Sequence, residues 1–259
     1  MKKISFDDLN NKICVITGGA GVLCTVISKG LASVGVKTAI VDLNKEMADK
    51  TSAEIEKETG TKSIGVVANV LDKESLIKAK KEINDKLGKI DMLINGAGGN
   101  SPKATTQVEK LENTEELAKS FYGLEMEGFK HVFDLNFTGT LLPTMVFTLD
   151  MLENKKGVVL NISSMNSFRP LTKIPAYSAA KAAINNFTEW LAVHLSKTGI
   201  RVNAIAPGFF LTNQNRFLLT DEKTGNLTPR GNKILTNTPM EKFGEPEDLQ
   251  GAVNFLLSD

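Results

Sequence analysis

Tyr177 and Lys181 stand four residues apart in a stretch, Ala176–Leu195, that predicts a helix because it is rich in Ala and Leu and lacks Gly and Pro. Residues four apart share one face of a helix, so the two side chains point the same way. A phenol has a pKa of about 10, and a nearby ammonium lowers it by favouring the phenolate. The pair therefore predicts a proton donor and acceptor near neutral pH. The same spacing also occurs in surface pairs on amphipathic helices.

Strands and helices alternate along the chain around this pair. The alternation predicts an α/β fold, a Rossmann-type, doubly wound parallel sheet between two helical layers (three-layer αβα), with residues 1–259 as a single domain. The predicted strands are 12–17, 37–42, 63–69, 90–95, 158–163 and 200–206. The predicted helices are 22–34, 45–58, 72–87, 115–121, 129–153 with a kink at Pro143, 176–195 and 247–257.

A glycine-rich turn, Gly18-Gly19-Ala20-Gly21, joins the first strand to the first helix. Such a turn brings a pyrophosphate to unpaired backbone N–H groups at the positive end of a helix dipole. Asp42 closes the second strand, 21 residues after Gly21. A carboxylate there accepts hydrogen bonds from a ribose 2′-hydroxyl and repels a 2′-phosphate, which favours NAD over NADP.

Polar residues follow the fifth strand and interrupt the longest predicted helix. Ser164 comes at the carboxyl end of its strand, thirteen residues before Tyr177, where it can hold a substrate oxygen. Asn136 lies between Leu135 and Phe137 on an otherwise apolar helix. A strand-end serine also serves as a helix cap, and a buried amide also serves packing when its hydrogen bonds are satisfied.

These motifs together resemble the short-chain dehydrogenase/reductase family. The resemblance rests on residues 17–21, Asn95-Gly96-Ala97-Gly98, the Asn136, Ser164 and Tyr177-x-x-x-Lys181 set, and Pro207-Gly208 with Thr212. It covers nearly the whole chain in the right order. It implies hydride transfer between a nicotinamide and a carbonyl or alcohol carbon.

The resemblance also implies a role for each matching residue. Tyr177 is the general acid and base, Lys181 lowers its pKa and holds the nicotinamide ribose, and Ser164 orients the substrate oxygen. Asn136 supports a proton-relay water, and Thr212 contacts the nicotinamide carboxamide. The implied cofactor-binding residues are Gly18, Gly19, Gly21, Val22, Leu23, Asp42, Asn69, Val70, Asn95, Ala97, Gly98, Tyr177, Lys181, Pro207, Gly208 and Thr212.

The chain departs from the family pattern in several places. Cys24 replaces the last glycine of the turn, and Gly96 replaces the second Asn of the usual Asn-Asn-Ala-Gly. Asn69 stands where an Asp commonly contacts adenine. We expect Cys24 to serve packing, the alternative being a thiol whose pKa is lowered by the helix N-terminus. The family normally continues past Asp259 into a seventh strand, so we expect a sheet without that last strand and a weakened oligomer interface.

The composition of the chain argues against nucleic acid and membranes as binding partners. Lys and Arg number 31 against 30 acidic residues, a net charge of +1 that gives no electrostatic case for nucleic acid or an anionic membrane. No apolar run reaches the roughly 20 residues that span a bilayer, and residues 1–8 are too polar for a signal peptide. Two cysteines are too few for a disulfide scaffold. We therefore expect a cytoplasmic protein and assign no metal site.

The substrate is expected to be a small-molecule sugar acid or polyol. Residues 21–23, 100–106 and 136–143 look like the D-mannonate oxidoreductase (fructuronate reductase) branch of the family, which implies interconversion of D-mannonate and D-fructuronate. Loops 99–128 and 209–244 are the predicted substrate loops, with Asn100, Lys103, Asn166, Arg169 and Arg216 as candidate contacts. Alternatives are a gluconate 5-dehydrogenase-like enzyme, a 3-oxoacyl or polyol reductase, a catalytically silent NAD-binding regulator, and a scaffold within an oligomer. We expect a homo-oligomer, a dimer or tetramer.

Overall fold

A parallel sheet forms the middle of the molecule, and its central strands are short apolar runs buried on both faces, as parallel sheets require. The computed structural model describes residues 5–211, 216–221 and 224–259, apart from the side chains of 217 and 218. The strands are β1 Ile13–Thr17, β2 Lys37–Asp42, β3 Ser63–Val67, β4 Met92–Asn95, β5 Gly157–Ile162 and β6 Ile200–Ile205. Their order in the sheet is β3-β2-β1-β4-β5-β6, with every neighbouring pair parallel.

Helices cover both faces of this sheet. Alternate residues of one strand enter different cores: Val15 packs with one cluster and Ile16 with the other. The helices are α1 Val22–Ser33, α2 Lys45–Thr59, α3 Lys73–Lys86, α4 Met126–Phe133, α5 Gly139–Asn154, α6 Pro175–His194, α7 Arg216–Leu219, α8 Pro229–Thr236 and α9 Gln250–Leu257. The first core is shared with α3, α5 and α6, and the second with α1, α2 and α9.

The long helix predicted over residues 129–153 is divided in the structure. Pro143 lies inside α5, which is not interrupted there, and the predicted helix is divided instead by a π-helical turn at Asp134–Thr138. A π turn leaves a backbone carbonyl without its usual helical partner. The Nδ2 of Asn136 donates to the carbonyl of Val132 at 2.7 Å, which stabilises the turn.

The loops differ more from prediction than the sheet does. The expected helix at 115–121 is a pair of 3-10 turns, Thr114–Lys119 and Phe121–Gly123. The last helix begins at Gln250 rather than 247, because a 3-10 turn with Pro246 in its first position precedes it. The predicted substrate loop 209–244 contains two short helices, α7 and α8.

One helical run in the described part of the chain, Met126–Asn154, is long and apolar enough to cross a membrane by length and composition alone. Half of its apolar window is buried inside the structure. A core helix of this kind passes the same test, so the run is weak evidence for a membrane span.

A buried ion pair ties the two helices on one face to the start of β4. The carboxylate of Asp150, on α5, is 1% exposed and lies 2.6 Å from the Nζ of Lys80, on α3. It also accepts the N–H of Ile90 at 3.1 Å. Burial acts to raise the pKa of Asp150, but the hydrogen bonds from Lys80, Ile90 and Asn84 outweigh it, so the pKa is lowered.

Replacing Asp150 should therefore destabilise the fold in a pH-dependent way. Asp150→Ala leaves the Lys80 ammonium and the Ile90 N–H without their partner, and should lower the free energy of unfolding by about 3–5 kcal/mol at neutral pH. The stabilisation is complete above the unfolded-state pKa of about 3.9 and is lost as pH falls through the lower folded-state value. Urea unfolding at neutral and acid pH measures both effects. The control is Asp85→Ala, which breaks an exposed pair with Lys81; an equal loss there would contradict a special role for burial.

Candidate active site

The carboxyl ends of the strands meet at one edge of the sheet, and a cavity of about 520 Å³ opens there. This volume suits a small-molecule or cofactor site. Glycines line much of it, which leaves backbone atoms at its surface. The lining residues are Gly18, Gly21, Val22, Leu23, Cys24, Asp42, Gly96, Ala97, Gly98, Gly208, Phe209 and Phe210.

The first turn of α1 offers free donors to this cavity. Gly21 is the N-cap and provides no side-chain cap. Among the described residues, no acceptor takes the N–H groups of Val22, Leu23 or Cys24. Because these groups lie at the positive end of a twelve-residue helix, they suit the pyrophosphate of a dinucleotide.

Asp42 both lines the cavity and holds the glycine turn. Its Oδ2 accepts the N–H of Ala20 at 3.3 Å, and its Oδ1 accepts the N–H of Asn44 at 3.2 Å. These bonds fix the carboxylate at the end of β2 while leaving lone pairs for a ribose hydroxyl. The ribose contact of Asp42 stays a prediction, and the bond to Ala20 was not predicted from the sequence.

Gly18 and Gly19 shape the turn through close backbone contacts. Gly18 has φ +61°, and a Cβ there would lie 2.7 Å from the Cα of Ala97. A Cβ on Gly19 would lie 2.8 Å from the carbonyl oxygen of Ile16. Both positions therefore exclude larger residues, although only Gly18 lines the cavity.

The two residues that the sequence predicts to transfer a proton lie near the start of α6, and Lys181 is close to Gly98 in the cavity lining. The Nζ of Lys181 lies 5.5 Å from the centre of the Tyr177 ring, as the shared helix face predicts. Lys181 is 4% exposed and donates to the carbonyl of Ile162 at 2.7 Å. Burial lowers the pKa of Lys181 to about 8.

Tyr177 differs from prediction in the direction of its pKa. Burial raises the pKa of Tyr177, and a hydrogen bond with Ser164 opposes this shift. The predicted lowering by Lys181 is wrong for this structure, because the ammonium is bonded to Ile162 rather than to the phenol. Tyr177 is thus held in its protonated form at neutral pH.

Ser164 is oriented by its own turn. Its Oγ accepts the N–H of Asn166 at 3.2 Å, so the hydroxyl proton of Ser164 stays available for another oxygen. The neighbouring Ser163 points elsewhere and bonds Asn185. The N–H of Met165 donates to the carbonyl of Pro207 at 3.0 Å, so Pro207 supports this turn through its backbone.

Asn136 fastens the turn after β4 to the π-helical segment. Its Nδ2 donates to the carbonyl of Gly99 at 2.7 Å, and its Oδ1 accepts the N–H of Gly99 at 3.3 Å. With the bond to Val132, both amide hydrogens are used. The side chain is fully buried, and its visible role is to position the turn.

Seven of the predicted cofactor residues do not line the cavity: Gly19, Tyr177, Lys181 and Pro207, described above, and also Asn95, Asn69 and Val70. Asn95 is 2% exposed, and its Nδ2 donates to Asn161 and Thr144, so its amide joins β4 to β5 and α5 rather than facing a ligand. Asn69 is exposed, and its Oδ1 accepts the N–H of Leu71. Val70 is buried; a Cβ on Gly139 would lie 3.0 Å from its Cγ2. Thr212 lies outside the described residues.

Phe209 and Phe210 line the cavity and were missed in the sequence. They follow Pro207-Gly208 directly at the end of β6, and this position was the available signal.

The first predicted substrate loop contacts the segment before Tyr177 and also the second predicted substrate loop. In the first, the N–H of Thr106 donates to the carbonyl of Lys173, four residues before Tyr177, at 2.9 Å. Glu109 pairs with Lys233 on α8, which connects the first loop to the second.

A profile of the short chain dehydrogenase family matches residues 12–223. The chain belongs to this family. It is therefore an oxidoreductase that acts on a CH–OH group with a nicotinamide dinucleotide, as the resemblance implied.

Individual relatives agree with this membership. The chain is 52% identical over 253 residues to an uncharacterized oxidoreductase of Haemophilus influenzae, covering 97% of this chain and 88% of that protein. It is 33% identical to a 2-dehydro-3-deoxy-D-gluconate 5-dehydrogenase of Formosa agariphila, covering 97% and 87%. An NAD-bound crystal structure from Haemophilus influenzae, of a protein provisionally named a D-mannonate oxidoreductase, superimposes with TM-score 0.91 at 51% identity over 98% of this chain and 91% of the other. The predicted Rossmann-type fold is confirmed.

Gly98 sits where the cofactor cavity meets the proton-transfer groups, so it should tolerate no side chain. A Cβ there would lie 2.6 Å from the Oδ1 of Asn136 and 3.4 Å from the Nζ of Lys181. Displacing these groups by a fraction of an ångström should lower kcat/KM by about 10²-fold in Gly98→Ala. The matched control is Gly99→Ala, whose Cβ meets only Leu135 at 3.8 Å and should stay within about threefold of the parent. Steady-state kinetics would contradict this account if both variants lost activity equally.

Proposed function

We propose that the protein is an NAD-dependent oxidoreductase that interconverts D-mannonate and D-fructuronate. The observation that carries the reaction type is the placement of the Lys181 Nζ 5.5 Å from the centre of the Tyr177 ring, with Ser164 next to the phenol, beside a glycine-lined nucleotide cavity. The substrate rests on the branch resemblance and on the name of the NAD-bound protein of similar structure.

The preference for NAD rests on Asp42. Its carboxylate is held at the cavity by two backbone N–H groups, so it cannot swing away from an incoming 2′-phosphate. A fixed negative charge repels that phosphate and accepts a 2′-hydroxyl. The cationic side chain nearest to Asp42 along the chain is Lys45, and it is paired with Asp49.

The site's own groups hold and move one proton. In reduction, the Ser164 hydroxyl donates a hydrogen bond to the ketone oxygen, and the Tyr177 phenol gives its proton to that oxygen as the alcohol forms. When bound, the reduced cofactor supplies the hydride to the carbonyl carbon. The raised pKa of Tyr177 keeps the phenol protonated, which is the form that reduction needs. In oxidation the same proton returns to Tyr177.

Arg169 is the candidate that best suits a substrate carboxylate. Arg169 follows the turn that begins at Ser164, and its backbone N–H donates to the carbonyl of Met165. Its side chain is exposed. Within the described part of the chain, no carboxylate lies within ion-pair distance of it. Lys103 is paired with two glutamates, and Asn100 is bonded to Thr105. A free guanidinium can bind a carboxylate through two parallel hydrogen bonds.

The main alternative is an enzyme resembling a gluconate 5-dehydrogenase, which the Formosa agariphila relative supports. A 3-oxoacyl or polyol reductase follows. A silent NAD-binding regulator would keep the nucleotide cavity without needing Tyr177, and a pure scaffold would bind no NAD. We further propose that residues 1–259 work as a single domain in the cytoplasm, with loops 99–128 and 209–244 binding substrate.

A homo-oligomer is supported by one apolar surface. On α5, Met145 and Leu149 are about half exposed, and on α6 Trp190 is 57% and Val193 is 76% exposed. Both helices pack on the same core cluster, so these side chains share one side of the molecule. A second copy could cover this surface, which is otherwise unfavourable in water. A monomeric mass in light scattering would contradict the dimer or tetramer.

The substrate proposal predicts that the purified protein oxidises NADH when D-fructuronate is added. Loss of NADH absorbance measures the rate, and NADPH should support a much lower rate because Asp42 repels its phosphate. Tyr177→Phe should bind NAD normally but lose about 10²–10⁴-fold in kcat. Turnover of 5-keto-D-gluconate without turnover of D-fructuronate would overturn the substrate and keep the reaction type. A cellular role that survives Tyr177→Phe would favour the regulator.

Two arginine variants test how the carboxylate is bound in the same assay. Arg169→Gln should raise the KM for D-fructuronate by about tenfold or more, since a hydrogen bond to a charged group is lost. Arg216→Gln is the matched control, because it removes another exposed arginine, from the start of α7. A KM that rises only in the control would assign the carboxylate to Arg216 instead.

A further inference from the structure

Two departures from the family pattern meet inside the nucleotide site. Cys24 lies in the first turn of α1, and Gly96 lies in the turn that follows β4. A Cβ built on Gly96 would lie 2.3 Å from the Sγ of Cys24. The thiol therefore occupies the space that any side chain at position 96 would need.

We propose that Cys24 is a positioning residue for NAD and that Gly96 is its obligatory partner. Cys24 is 6% exposed and lines the cavity, so its thiol lies between the α1 N-terminus and the turn after β4. On its other side, this turn is held by Thr17, whose Oγ1 accepts the N–H groups of Gly96 and Ala97 at 3.2 and 3.3 Å. Cys24 and Thr17 together clamp the turn.

The clamp acts on both ends of the cofactor site. Cys24 belongs to α1, whose free N–H groups suit the pyrophosphate. The turn that it contacts at Gly96 continues through Ala97 to Gly98. Gly98 closely approaches Asn136 and Lys181. The size of residue 24 therefore sets the distance between the phosphate donors and the proton-transfer groups.

The thiol acts through its volume rather than its reactivity. Burial raises the pKa of Cys24 to about 12, while Lys181 and Asp42 act on it in opposite directions. The group is thus a neutral thiol at physiological pH. It can lie beside the pyrophosphate site without adding charge, and a neutral, buried thiol is a poor nucleophile.

A double-mutant cycle tests the pairing, with the dissociation constant of NAD measured by calorimetry. Gly96→Ala should weaken NAD binding by about tenfold or more, because its methyl group displaces the thiol. In Cys24→Gly/Gly96→Ala, binding should return to within about threefold of Cys24→Gly alone. Recovery is incomplete because the new Cβ also lies 2.9 Å from the carbonyl of Thr17. Equal penalties of Gly96→Ala in both backgrounds would overturn the pairing.

Further variants separate positioning from stability. In Gly96→Ala the KM for NAD should rise by a larger factor than kcat at saturating NAD falls, because the substitution disturbs the cofactor site and removes no reacting group. Cys14→Ala removes the other buried thiol, which is outside the cavity, and should lower thermal stability without changing NAD affinity. If Gly96→Ala does not fold, Cys24→Leu produces the collision from the helix side, and unchanged NAD affinity there would overturn the inference.

The inference rests on the proposed use of NAD, so the unaltered protein is measured first. If it binds no NAD, the proposed function fails. If it binds NAD and the two substitutions act independently, only the pairing fails.

Discussion

The turn after β4 is held by the amide of Asn136, and the arrangement of the active site depends on this contact. The side chain bonds both the N–H and the carbonyl of Gly99, and it also takes the carbonyl freed by the π-helical turn. A buried amide is costly unless its bonds are satisfied. Because the two bonds to Gly99 exist only when the helix and the turn meet, the contact is specific to one geometry.

The same turn lies between the lining of the nucleotide cavity and the groups that we propose for proton transfer. Gly98 approaches Asn136 and Lys181, Ala97 lies against Gly18, and Gly96 lies against Cys24. Because residues 96–98 are small, the π-helical turn, α6, the glycine turn and α1 can all approach this short backbone segment. Behind the turn, Asn95 joins Asn161 and Thr144, and Asn161 joins Thr188 on α6, so the buried polar network reaches the helix that carries Tyr177.

Local pattern was enough to predict the sheet, since each strand is a short apolar run between turn residues. The six strands, the nucleotide turn and the Tyr177 helix were all predicted within a few residues of their observed bounds. The π-helical turn was not predictable, because nothing in the residues 134–138 distinguishes it from a helix with a proline nearby. Loop 99–128 was equally difficult, since its 3-10 turns have no strong periodicity.

The sequence by itself determined which candidate groups come together for the proposed reaction: a phenol and an ammonium on one helix face, a serine at a strand end, and a carboxylate after the second strand. These assignments depend on spacing along single elements and on the rule that parallel strands end at one edge. Only the tertiary structure decided the pKa direction of Tyr177, the structural use of Asn95, the bond from Ala20 to Asp42 and the contact of Cys24 with Gly96. Each of these depends on burial or on approach between segments distant in the chain. Such distances are set by packing and do not appear in local spacing.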